Sequence, residues 1–300
     1  HALFYRGELA RSVEHLETAL GGYDVPAHQR IDYSFGDDPV VLSFSYLAWC
    51  QWFRGAPLEA LAASQQAVAV GERLGHPPSL AFGLAYDAVL QHLRHDVSAA
   101  LEASERSLAL ASEHGMPLWI ALSRIVHGWA VAERGDAALG IEELADGLAA
   151  WESSGSDVGR PYFLGMLAEA CARGGQLERA GELWPQVGPL IERTEQWVFA
   201  AERDRIEGEL RWRDGAAADG AALTSTLACF ERAAHTARRQ GARGLELRAL
   251  LSWGEVLERT GRAAEGVGTL RKARARYPAA CSEPDVERAD AWLARNAPQA

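Results

Sequence analysis

The chain has 300 residues, 48% of them hydrophobic, and a formal charge of −11. That is ample for a folded core, while the acidic balance argues against general nucleic-acid binding, which needs clustered cations to neutralise phosphates. No apolar run reaches the roughly 18 residues of a membrane span, and no signal peptide is visible. The four cysteines, Cys50, Cys171, Cys229 and Cys281, stand alone without a CxxC pair and read as small core residues in a reducing, cytoplasmic compartment. Basic charge is almost wholly arginine, with Lys272 the only lysine.

In chain order, residues 1–22 read as the remnant of one repeat. The chain opens on His1 inside a helical pattern, so it is expected to be a fragment of something longer. Residues 23–39, rich in Asp, Gly and Pro, read as a loop. Helix-pair units are then expected at about 40–78, 79–117, 118–159 and 160–195. Pro185 and Pro189 should break the second helix of the fourth unit. A further unit at about 196–242 carries an Ala/Gly-rich insert from Asp214 to Gly220, and a last one spans 243–278. A capping helix within 283–296 is expected, because an uncovered array would expose its final apolar face.

The units rest on internal self-similarity. A shift of 40 residues superposes Gly75, Gly115 and Gly155, each closing a helical stretch, and also Gly55, His95, Gly135 and Gly175, each in a short turn. The middle of each first helix carries a small residue: Ala48, Ala88, Gly128, Ala168, Gly208 and Gly254. Glycine inside a helix costs about 1 kcal/mol relative to alanine, so its recurrence implies close approach of a neighbouring backbone.

Segments such as Gly135-Asp136-Ala137-Ala138-Leu139-Gly140-Ile141-Glu142-Glu143-Leu144, and the closing stretch with Gly254, Gly261, Ala273 and Pro278, resemble tetratricopeptide repeats (TPRs). The period departs from that family's roughly 34 residues. The expected fold is therefore all-α, a right-handed α-solenoid of TPR-like helix pairs with a period of about 40 residues. A narrower resemblance runs through Phe35-Gly36-Asp37-Asp38-Pro39, Ser45-Tyr46-Leu47-Ala48-Trp49, Pro117-Leu118-Trp119, Gly128-Trp129-Ala130, Gly159-Arg160-Pro161-Tyr162-Phe163 and Leu245-Glu246-Leu247-Arg248-Ala249. In that order these landmarks resemble the C-terminal repeat region of bacterial multidomain proteins joining an adenylate or guanylate cyclase domain to a predicted NTPase. The resemblance implies a regulatory region whose catalytic domains lie upstream.

Catalytic constellations do not emerge. GxxxxGK[ST], HExxH and GxSxG are absent, and His92 with His95 lacks a third metal ligand nearby. No enzymatic activity, cofactor or metal is expected of this stretch. The expected role is protein interaction or ligand sensing that regulates an attached signalling NTPase or cyclase. The partner would be a protein or peptide segment, including the chain's own upstream domains, or a small effector; membrane and nucleic acid are not expected. A structural scaffold or oligomerisation arm is the alternative.

A groove on the first helices would be aromatic early and charged late. Its candidate residues are Trp49, Trp52, Phe82, Trp129, Arg160, Tyr162, Glu169 and Trp212. Glu202, Arg205, Glu209, Arg248, Leu251, Glu255 and Glu258 continue the same face. The competing reading is that the tryptophans pack between repeats and that Arg160, Tyr162 and Glu169 serve capping and inter-repeat hydrogen bonds. Residues 228–277 are net +6 while the remainder is −17, which reads chiefly as a solvated face of snorkelling arginines.

Overall fold

In the computed structural model, residues 1–22, 37–215, 220–279 and 281–297 are described. The expected loop at 23–39 and insert at 214–220 fall largely outside them. All regular structure among the described residues is helical.

Two short helices, α1 (Ala2–Tyr5) and α2 (Leu9–Gly21), precede six helix pairs. The pairs are α3 (Pro39–Phe53) with α4 (Pro57–Leu74), α5 (Pro77–Arg94) with α6 (Val97–Glu113), and α7 (Pro117–Glu133) with α8 (Ala137–Ser153). The fourth first helix is α9 (Arg160–Arg173). Its partner is split into α10 (Leu177–Leu183), a 3-10 turn at Trp184–Gln186 and α11 (Val187–Thr194), where Pro185 and Pro189 cannot supply backbone N–H groups. Then follow α12 (Ala200–Arg213) with α13 (Gly220–Gln240), α14 (Arg243–Arg259) with α15 (Ala263–Arg274), and a final α16 (Pro284–Asn296).

Local chemistry starts and stops these helices. Pro39, Pro57, Pro77 and Pro117 each open a helix, where the missing N–H costs nothing. Asp38 Oδ1 accepts the Val40 and Val41 N–H groups, and Asp96 and Asp136 accept those of Ala99 and Leu139. Beside this cap, burial lifts the Asp37 carboxyl from its ordinary value of 3.8 to about 6.

The stops reveal a longer periodicity than the glycines alone. Gly75, Gly115 and Gly155 are left-handed, and forty residues on Glu195 takes the same conformation at φ 54° without being glycine. His95 does likewise at φ 59° among the other series of turns, its ring stacked on Trp129 at 6.0 Å. That second series runs on to Gly215, and Gly241 follows 26 residues later instead of 20, so the extra residues lie after Gly215.

The chain divides into two compact units. The first comprises 1–4, 8–52 and 56–163. Its tightest seam joins α7 to α8, where a Cβ on Gly128 would stand 2.5 Å from the Leu144 nitrogen and 2.6 Å from the Gly140 carbonyl oxygen. Gly147 repeats the close approach, 2.8 Å from the Ile125 nitrogen. Ser123 Oγ bonds Ser107 Oγ at 2.8 Å, tying α7 to α6. At this seam Gly128, Gly140 and Gly147 serve backbone contact, whereas Gly208 and Gly254, expected to do the same, meet side-chain rings instead.

The second unit comprises 5–7, 53–55 and 164–300. Gly208 faces the ring of Phe230, which packs with Leu227, Val256 and Leu257. The final helix lays Trp292, fully buried, over Gly254 and Gly266, and Val286 and Ala289 join the same core. This cover conceals the apolar edge of the last pair.

A paired substitution separates packing from propensity. Gly128→Ala should destabilise the fold by about 1–3 kcal/mol through overpacking. Gly268→Ala, with nothing within 4 Å of its added methyl, should stabilise by up to about 1 kcal/mol. Urea unfolding followed by circular dichroism compares the two; similar midpoints would remove the close-approach account of the α7–α8 seam.

Candidate functional site

Within the second unit, the first helices carry a connected row of charges. Arg205 on α12 is buried; its Nη2 bonds Glu169 of α9 at 2.9 Å and Glu202 at 2.8 Å, and its Nη1 lies 3.7 Å from Glu209. On α14, buried Arg248 donates to Asp285 of α16 at 2.8 Å and lies 3.9 Å from Glu202. Arg288 binds Asp285 at 3.0 Å and Glu255 at 2.8 Å. Burial would lower the basicity of Arg205, but Glu169, Glu202 and Glu209 outweigh it and hold the guanidinium well above its ordinary range. Arg205 Nε and Glu202 Oε2 are buried without a hydrogen-bond partner among the described residues.

Next to this row lies a cavity of about 310 Å³ between α12 and α14. Glu209, Trp212 and Arg213 form one wall, and Ser252, Glu255, Val256 and Arg259 the other. Both sets follow the three-and-four spacing that places residues on one helix face. Ser252 and Val256 are buried, whereas Arg213 and Arg259 are exposed. Neither of these two arginines has an ion-pair or hydrogen-bond partner among the described residues.

The expected groove residues are distributed between two settings. Trp212 lines the cavity, and half-buried Glu169 belongs to the Arg205 cluster while also accepting from Arg173 at 2.9 Å. In the first unit, Trp49, Trp52, Phe82, Trp129 and Tyr162 are buried. Trp49 stacks on Tyr86 at 4.3 Å, donates its indole N–H to the Tyr86 carbonyl, and Tyr86 in turn stacks on Phe82 at 4.1 Å. Tyr162 bonds His92 Nδ1 at 2.8 Å, and Trp129 meets the His92 ring edge-on at 4.3 Å. Arg160 is held by Glu152 at 2.9 Å and Asp157 at 3.2 Å. These early aromatics meet one another across successive helices.

Sequence reading did not single out Arg213, Ser252, Val256, Arg259 or Asp285. On α14 the expected face runs through Leu251, which is buried in the core, whereas the cavity-lining stripe begins one residue later at Ser252. The usable clue was the repeated Glu-to-Arg spacing of four, Glu209 to Arg213 and Glu255 to Arg259. No group of three or more His, Cys, Asp or Glu that could hold a metal occurs among the described residues, and no described helix is long and apolar enough to cross a membrane.

Helix pairs stacked first helix beside first helix define the class: an all-α array of TPR-like repeats. Solved structures agree. The apo form of RapI matches with a TM-score of 0.62 at 14% identity, covering 91% of this chain and 96% of that one. A Rap protein complexed with competence and sporulation factor matches with a TM-score of 0.63 at 14% identity, covering 92% of this chain and 72% of that one. At that identity the likeness is one of fold. No family model matches the chain, and no curated protein matches it.

Two substitutions, with removal of a surface ion pair as a control, probe the two settings. Arg205→Ala strands three carboxylates around a buried position and should cost about 3–5 kcal/mol. Removing the exposed Arg211–Glu207 pair should cost about 0–1 kcal/mol. Trp49→Ala should cost about 3–5 kcal/mol as a core truncation. Thermal and urea melts measure all three, and a Trp49→Ala variant as stable as the parent would contradict its core role.

Proposed function

We propose that this chain is a non-catalytic interaction and ligand-sensing module whose binding surface is the first-helix face of the second unit. The observation that carries this reading is the α12–α14 cavity, with an indole wall and two arginines lacking side-chain partners among the described residues. Tryptophan and arginine are the residue types that dominate binding energy when a partner covers them. The Rap structure complexed with competence and sporulation factor supports a ligand-holding role for this kind of helix array. The early aromatic residues then act as the framework, because burial leaves them little surface to offer.

The finer reading follows the ordered landmarks from Phe35 to Ala249, of which Phe35 and Gly36 lie outside the described residues. The module would sit in a longer cytoplasmic chain and bias a signalling NTPase or nucleotide cyclase domain, with a segment of that chain or a separate protein as partner. Described parts of those landmarks serve architecture: Tyr46 bonds Tyr86 at 3.0 Å, and Gly128 forms the α7–α8 seam.

Panning a displayed peptide library against the 300-residue chain tests the surface. Selected peptides, measured by fluorescence polarisation, should lose about tenfold or more in affinity on Trp212→Ala or Arg259→Ala, roughly 1.4 kcal/mol, and the exposed Arg259→Ala should leave the melting temperature little changed. Peptides indifferent to both substitutions would move the binding surface elsewhere.

A further inference from the structure

The charges of the α12–α14 cavity are arranged in two tiers. Glu209 precedes Arg213 by four residues on α12, and Glu255 precedes Arg259 by four on α14. A glutamate four residues before an arginine ordinarily closes an intrahelical ion pair. Here neither pair forms. Glu209 is turned toward Arg205 at 3.7 Å, and Glu255 binds Arg288 at 2.8 Å. Both guanidiniums sit in the last turn of their helices, where the negative end of the helix dipole favours a cation even without a side-chain partner among the described residues.

The cavity thus offers acids on one tier and, on the next, two guanidiniums uncommitted among the described residues. The separation is about 6 Å between side-chain origins. The 3.7 Å contact of Glu209 is long for a charge-assisted hydrogen bond, which leaves that carboxylate acceptor capacity. Between the tiers, half-buried Trp212 supplies the apolar surface, while Ser252 and Val256 form the buried floor. A polyanion would meet Glu209 and Glu255, and a simple cation would meet Arg213 and Arg259. A ligand carrying both charges close together, plus an apolar side chain, satisfies every group. A volume of about 310 Å³ is at the small end of ligand sites.

We infer that the α12–α14 cavity binds a free α-amino acid with an apolar or aromatic side chain. Arg213 and Arg259 take its carboxylate, Glu209 and Glu255 its ammonium group, and Trp212 its side chain. The inference deepens the ligand-sensing role proposed above and rests on it, since it assigns the class of small effector to the same face.

Isothermal titration of the whole chain with L-leucine and L-phenylalanine tests it, beside N-acetyl-L-phenylalanine and L-phenylalaninamide, which lack one charge each. Binding of a free amino acid is expected, with at least about a tenfold loss for each blocked analogue. Arg213→Gln and Arg259→Gln should each weaken the free amino acid by a similar factor, and Glu209→Gln should narrow its advantage over the acetylated analogue. Blocked analogues that bind as well as the free amino acid would overturn the two-charge assignment. Absence of amino-acid binding while library peptides still depend on Trp212 and Arg259 would overturn the inference and leave the interaction surface standing. Loss of both would remove the surface as well.

Discussion

Close approach of helix backbones is the constraint on which the rest depends. At the α7–α8 seam the space beside Gly128 is already occupied by the backbone of Leu144 and Gly140, so even a methyl group has no room. Helices packed this closely gain dispersion contacts along their length, which offsets the poor helix propensity of glycine. Where the second unit meets the same problem, it answers with aromatic rings: Phe230 covers Gly208, and Trp292 covers Gly254 and Gly266. Small residues in mid-helix are thus the sockets of the array, whether backbone or ring fills them.

The two units fill the space between successive first helices differently. The first uses stacked aromatics, Trp49 on Tyr86 on Phe82, and a buried His92–Tyr162 hydrogen bond. The second uses ion pairs, with Arg205 and Arg248 each shared among carboxylates from neighbouring helices. Buried charges demand partners within reach and in good geometry, which makes such a row more selective about helix placement than an apolar seam. The cavity lies at the end of this row, where the carboxylates are engaged on one side and the arginines are not.

Much of the architecture is legible in residue order. Prolines at helix starts, left-handed glycines at helix ends and the 40-residue shift define where the pairs lie, because each acts through its own backbone geometry. Pro185 and Pro189 mark the split second helix for the same reason. The continuation of the period through Glu195 was hidden, since a non-glycine residue can take the left-handed conformation when the surrounding turn compels it. The site was less legible. Trp49, Trp52, Phe82, Trp129 and Tyr162 share helical spacing with a groove, but spacing alone does not tell an open face from one covered by the next repeat. On α14, one residue of register separates buried Leu251 from cavity-lining Ser252.

What the sequence by itself determined is the all-α class, the helix-pair period and the small-residue sockets, all of which follow from local conformational rules repeated along the chain. Only the tertiary structure decided which carboxylate each arginine meets. Glu209 and Glu255 stand at the ordinary spacing for intrahelical pairs with Arg213 and Arg259, yet they turn to Arg205 and to Arg288. Arg288 lies on another helix, more than thirty positions further along the chain from Glu255. Long side chains choose among partners by distances that exist only once the helices are stacked, and that choice leaves Arg213 and Arg259 without partners among the described residues.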